Sequence, residues 1–184
     1  MLLFFLVTLL FGLIFIFLYV FMASKKKYHL TKEQIEHMIA VAKKTRNYAF
    51  SHRSMHKIGA SVLMADGKVY GGCNIESVIS GLGTCAERCA VDNAVAHGSY
   101  DIVAVCTVDS GFTPTCGACL QYIMLFSQVT DKDIVLVNAD TQGTYELSLL
   151  SELLPQGYRT QNNLEAIRSY SKVVPLSSSK KRST

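Results

Sequence analysis

Three thiols and a carboxylate stand in two short clusters of this 184-residue chain, Cys85-Ala86-Glu87 and Cys116-Gly117-Ala118-Cys119. Three thiolates suit a tetrahedral zinc ion and leave its fourth position open to water. Zinc lowers the pKa of a bound water to about 7, so a nucleophile exists at neutral pH. Glu87 is then more useful beside the metal than on it, as a group that moves protons. A helix beginning near Cys85 puts its thiol and the Glu87 carboxylate in one first turn. Cys116 and Cys119, at i and i+3, share one face of a second helical turn. Helix N-termini carry partial positive charge, so two of them meeting head to head at the metal would stabilise the thiolates. A Cys-x-x-Cys alone fits a redox pair or half of a structural zinc site equally well. The upstream Cys-x-Glu, followed by Arg88, favours hydrolysis. A structural zinc or a set of buried thiols is the competing reading, and it lacks the fourth protein ligand that structural sites usually have.

The elements that must position these groups can be read from periodicity. Thr31 with Gln34 forms a capping-box pattern, and Ile35, Met38, Ile39 and Ala42 supply one apolar face, which predicts a helix over 31–47. Strands follow over 58–64 and 68–73, joined at Ala65-Asp66-Gly67, a hairpin turn signal. Next come a helix over Cys85–His97, a buried strand over Ile102–Val108, a helix over Cys116–Phe126 and a strand over Ile134–Val137, with a short strand over 143–147. This alternation implies an α/β fold, a three-layer α/β/α sandwich around a mixed five-stranded sheet, with both cysteine-bearing helices brought to one region of the sheet. Cys73, Cys89 and Cys106 read as packing residues, and His52 and His97 as non-ligands.

With these motifs in view, the sequence resembles the zinc-dependent cytidine deaminases, in the branch whose zinc ligands are three cysteines. The likeness also rests on Ile58-Gly59-Ala60, Gly72-Cys73-Asn74-Ile75-Glu76, Gly81-Leu82, Thr84 to Arg88 and Leu153-Leu154-Pro155-Gln156-Gly157-Tyr158, over residues 30–160. It implies the same three-layer fold and hydrolysis of cytidine or deoxycytidine to the uridine. Cys85, Cys116 and Cys119 would hold zinc, and Glu87 would carry a proton to the pyrimidine N3 and on to the leaving ammonia. Asn74 and Glu76 match the pair that hydrogen-bonds the ribose, and Ala86, His56 and Tyr158 complete the substrate contacts. Arg88 matches an arginine that bonds the ligand sulfurs; beside three thiolates on a dication it returns positive charge to the metal.

The chain also departs from the family pattern. His56 stands where an aromatic residue lines the base pocket, so that either the pocket is more polar or Phe50 takes the role. Thr115, not proline, precedes Cys116, and Thr115 can cap the helix. Leu120 replaces an arginine. The Leu153 to Tyr158 ending is also similar to blasticidin S deaminases, which keeps a cytosine-containing antibiotic as an alternative substrate. A membrane-tethered, non-catalytic zinc-binding protein is the alternative from another class, and Glu87 argues against it. The resemblance further implies a homotetramer.

The formal net charge of +4 is set by the ends, since Lys25–Lys27 and Lys180–Arg182 hold more cations than that and leave the remainder slightly acidic. No basic stripe interleaved with aromatics is present, which points to a small free substrate and away from a nucleic acid polymer. Six cysteines, three of them assigned to metal, imply a reducing compartment without a disulfide framework. Residues 1–23 carry no charge and are long enough to span a bilayer. Lys25–Lys27 follow at once and would keep a domain over 24–160 on the cytoplasmic side of a single-pass anchor. The alternative is translation from Met22 and a cytoplasmic enzyme. Residues 161–184 read as a polar basic tail.

Overall fold

A computed structural model of the chain describes residues 29–79 and 81–172. By its internal contacts the chain divides into Met1–Thr31 and Lys32–Thr184. The anchor expected over residues 1–23 lies outside the described residues, as does the alternative start at Met22. Among the described residues no helix is long and apolar enough to cross a membrane.

The second unit opens with helix α1, Lys32–Arg46, which buries the predicted face of Ile35, Met38, Ile39 and Ala42. Strands β1 (Gly59–Met64) and β2 (Val69–Cys73) form the hairpin, and Gly67 takes the left-handed conformation, φ 84°, that its turn requires. Helix α2 (Ala86–Ala96) leads to β3 (Ile102–Asp109), then α3 (Gly117–Thr130), β4 (Val135–Asp140) and β5 (Tyr145–Leu149). Two short helices, α4 (Leu150–Leu153) and α5 (Leu164–Ser169), and a 3₁₀ turn at Tyr170–Lys172 end the described chain. The five strands run in the order β2-β1-β3-β4-β5, parallel only between β3 and β4.

Two adjacent glycines of β2 record how the layers are stacked. A Cβ on Gly71 would lie 2.6 Å from Thr45 of α1, and one on Gly72 would lie 2.3 Å from the backbone nitrogen of Ala90 in α2. Successive strand residues point to opposite faces. Helix α1 therefore covers one face of the sheet and α2 the other, each too close for a side chain. All six residues of β1 are buried between these layers, and its one hydroxyl, Ser61, donates to the Met38 carbonyl at 2.8 Å. The larger core, against α2 and α3, is built on Val62, Val91, Val105, Ile123 and Met124.

Three boundaries differ from expectation by three residues or more. Helix α3 continues past Phe126 to Thr130, because Gln128 turns inward and exchanges hydrogen bonds of 2.9 and 3.3 Å with the Thr160 backbone. Strand β4 continues past Val137 to Asp140 through pairing with both β3 and β5, a long-range cause with no local signal. Within the segment expected to be tail from residue 161, Leu164–Ser169 is helical and Tyr170–Lys172 forms a 3₁₀ turn. Ile167 packs against the core, Arg168 pairs with Asp131 at 3.1 Å, and the Tyr170 ring meets Tyr100 edge-on at 5.0 Å.

Candidate functional site

The site forms where α2 and α3 begin. Cys85 and Cys116 are the N-cap residues of these helices, both with extended backbone (φ −76° and −69°), and neither thiol serves as a cap. The cap position falls on Cys116 itself and not on Thr115. The sulfurs of Cys85, Cys116 and Cys119 all lie within 4.8 Å of one another. Sulfurs bound to one tetrahedral zinc at about 2.3 Å sit roughly 3.8 Å apart, a separation compatible with this cluster. Arg88 shares the fit. Its side chain hydrogen-bonds Cys85 and its Nη2 donates weakly to the Gly83 carbonyl at 3.4 Å. Its Nε is buried with no partner among the described residues, a donor suited to a metal-bound sulfur.

Electrostatics already favour ionisation of one thiol of the cluster, Cys85. The Cys119 thiol hydrogen-bonds Cys85; burial opposes this bond, while Cys116 and Arg88 add to it, and the Cys85 thiol falls to about 5. The same bond pushes Cys119 upward. Glu87 is 5 % exposed, and burial, joined by the charge of Cys85, lifts its carboxyl above the usual range. A carboxylate raised in this way takes and returns a proton near neutral pH more readily than an exposed one.

Cys85, Cys116 and Glu87 line one end of a cleft of about 310 Å³ whose other walls include Arg53, Ile58, Asn74, Glu76 and Thr113. Asn74 and Glu76 both face this cleft and both also hold the loop before β1. The Asn74 amide accepts from the Ile58 N–H at 2.8 Å and donates to the His56 carbonyl at 2.9 Å. The Glu76 carboxylate accepts from the Arg53 and Ser54 amides at 2.7 and 3.2 Å. These bonds, the Ser54 contact foremost, hold its carboxyl below the usual range.

The remaining expected contacts lie apart from the cleft wall. Ala86 is fully buried in the first turn of α2. The Nε2 of His56 faces Asp109, 3.3 Å from Oδ2, and the Phe50 ring is exposed and stacks at a tilt on His52. The Tyr158 backbone is clasped by Gln121 through two bonds of 2.8 Å, and its ring is 73 % exposed. Leu120 is buried in the core, which gives a packing reason for an apolar residue at that position. Asp109 was not singled out from the sequence, although Asp109-Ser110-Gly111 is a turn signal of the kind in which a carboxylate caps backbone amides.

Residues 32–137 match the model of the cytidine and deoxycytidylate deaminase zinc-binding region. The chain belongs to this family. A cytidine deaminase of Sporosarcina psychrophila is 35% identical over 130 residues, covering 70% of this chain and 93% of that protein. A probable cytidine deaminase of Dictyostelium discoideum is 34% identical over 140 residues, covering 74% and 91%. Among solved structures, cytidine deaminase from Burkholderia pseudomallei superposes with a TM-score of 0.62 at 32% identity, covering 70% of this chain and all of that one. This family member is a hydrolytic deaminase with the mixed five-stranded sheet of its relatives, and its cofactor is zinc.

Proposed function

We propose that the chain hydrolyses cytidine and deoxycytidine to uridine and deoxyuridine with release of ammonia, a reaction of pyrimidine salvage. The observation that carries this reading is the position of Glu87, buried on the cleft wall beside three clustered sulfurs. Zinc held by Cys85, Cys116 and Cys119 supplies the Lewis acidity that makes water nucleophilic near neutral pH. Glu87 takes a proton from the attacking water and delivers it to N3 of the pyrimidine as the oxygen bonds to C4. It then takes the proton of the resulting C4 hydroxyl and delivers it to the amine, so that the carbonyl forms as the C4–N bond breaks and ammonia leaves. Its burial suits both directions of transfer. Arg88 offsets the negative charge of three thiolates around a dication. Asn74 and Glu76 receive the ribose hydroxyls with whatever hydrogen-bonding capacity their loop contacts leave free.

A homotetramer belongs to this reading. Val78, Ile79 and Leu82, 87, 60 and 70 % exposed, form an apolar rim beside the cleft that a second copy would cover. The same association would bring Tyr158 of one copy toward the cleft of another. Attachment to a membrane through residues 1–23, with the domain on the cytoplasmic side, is supported by the apolar run and Lys25–Lys27 alone. The test is loss of ultraviolet absorbance on cytidine, deoxycytidine and blasticidin S, measured beside zinc content. Turnover of the two nucleosides is expected. Turnover of the antibiotic alone would replace the substrate, and zinc without turnover of any of the three would remove the catalytic reading.

A further inference from the structure

Asp109 is the most deeply buried carboxylate among the described residues, 1 % exposed at the end of β3, and lies outside the cleft lining. A buried carboxylate is unfavourable unless its lone pairs are filled. Here Oδ1 accepts the amides of Gly111 and Thr113 at 2.9 and 3.1 Å, and Oδ2 accepts the Thr113 hydroxyl. These bonds wind the β3–α3 loop around Asp109. Burial would raise its carboxyl, but the Thr113 hydroxyl, the two amides and the facing His56 outweigh that and hold it below the usual range.

The fourth contact is different, because it leaves the loop. His56 Nε2 lies 3.3 Å from Oδ2 of Asp109. His56 belongs to the segment before β1, where its N–H donates to the Ser54 hydroxyl at 3.0 Å and its carbonyl accepts from Asn74 at 2.9 Å. That segment contributes Arg53 and Ile58 to the cleft, while the β3–α3 loop contributes Thr113, Pro114 and Cys116. The two segments leave the sheet side by side, since Gly59 of β1 pairs with Val108 of β3. The β3–α3 loop could be wound by Asp109 alone, so the His56 ring adds nothing to it locally. What the ring does add is a connection between the sugar-side and metal-side walls.

We propose that His56 and Asp109 are positioning residues, a strut that fixes the separation of the two cleft walls and so sets substrate affinity without taking part in proton transfer. The consequence for substrate rests on the deaminase reading; the strut itself does not.

The experiment compares H56A, H56Q, D109N and the H56A/D109N double variant in the zinc-loaded protein, by amide hydrogen exchange and by steady-state kinetics on cytidine. Across the cleft, D109N is expected to speed exchange at Arg53, Ser54 and Ile58 about fivefold, and H56A to do the same at Gly111 and Thr113. The KM rises about fivefold in H56A, the upper size for a charge contact made by a half-exposed ring, with kcat changed less than about twofold. H56Q keeps a donor and recovers KM to within about threefold. In the double variant KM is no higher than in D109N, because both changes break one contact. Unchanged exchange on the far side of the cleft, or KM effects that multiply, would overturn the strut. Should D109N not fold, H56A and H56Q carry both readouts through a half-exposed ring. A wild type that turns over no nucleoside would sink the deaminase reading, and the exchange data would still decide the strut.

Discussion

The two walls of the cleft are built by different means. On the metal side, Cys85, Glu87, Cys116 and Cys119 ride on the first turns of α2 and α3, whose bodies are packed into the core through Ala90, Val91, Ile123 and Met124. On the opposite side, the side proposed to meet the sugar, the described residues of 50–58 and 74–84 contain no long element. They are held by isolated backbone bridges, Phe50 with Ile75 and Ile75 with Thr84, and by two side chains reaching to backbone, Asn74 to residues 56 and 58 and Glu76 to residues 53 and 54. Reactive groups need fixed geometry to within fractions of an ångström, and helix ends anchored in a core supply it. On the proposed reading Asn74 and Glu76 serve the loop and the ligand together, so substrate affinity and loop order are expected to move as one.

Substitutions can break each wall separately. C119S removes a sulfur from the cluster, and bound zinc should fall from about one per chain to a small fraction, with turnover lost; metal analysis checks it. E76A is expected to raise KM about thirtyfold while zinc content holds, the size for a lost charge-assisted hydrogen bond. If zinc fell as well, the walls would not be independent. R88Q should weaken zinc binding about tenfold, read by competition with a chelator, and lower kcat in proportion to the zinc lost.

The smallest effect concerns acid stability. The Asp109 carboxyl is depressed below its usual 3.8 in the folded protein. A depressed carboxyl stabilises the fold above its unfolded pKa, and that contribution is lost as pH falls through the folded value. D109N should therefore be less stable than wild type at neutral pH, and the two should converge as the pH falls well below 3.8, measured as thermal midpoints.

The same contrast explains what could be read in the chain before its fold was known. The metal side is local. Cys85 with Glu87, and Cys116 with Cys119, lie within one helical turn, so spacing alone places them, and α1 followed from four apolar positions on one face. The ribose role proposed for Asn74 and Glu76 comes from resemblance alone, and nothing in their own neighbourhood tells that they also grip a segment some twenty residues earlier. The His56–Asp109 contact escaped notice for the same reason. It joins residues more than fifty positions apart, and a lone histidine before a strand carries no periodic signal. The helix at Leu164–Ser169 was hidden differently: Leu164, Ala166 and Ile167 are its only apolar residues, too thin a stripe to stand out in polar text.

The central claim is that Glu87 moves protons beside the metal and does not hold it. Wild type and E87A, brought to equal zinc content, would be compared for deamination of cytidine. The account predicts that E87A retains zinc and loses about a thousandfold or more in kcat. Equal rates at equal zinc, or loss of zinc on removing the carboxylate, would contradict it.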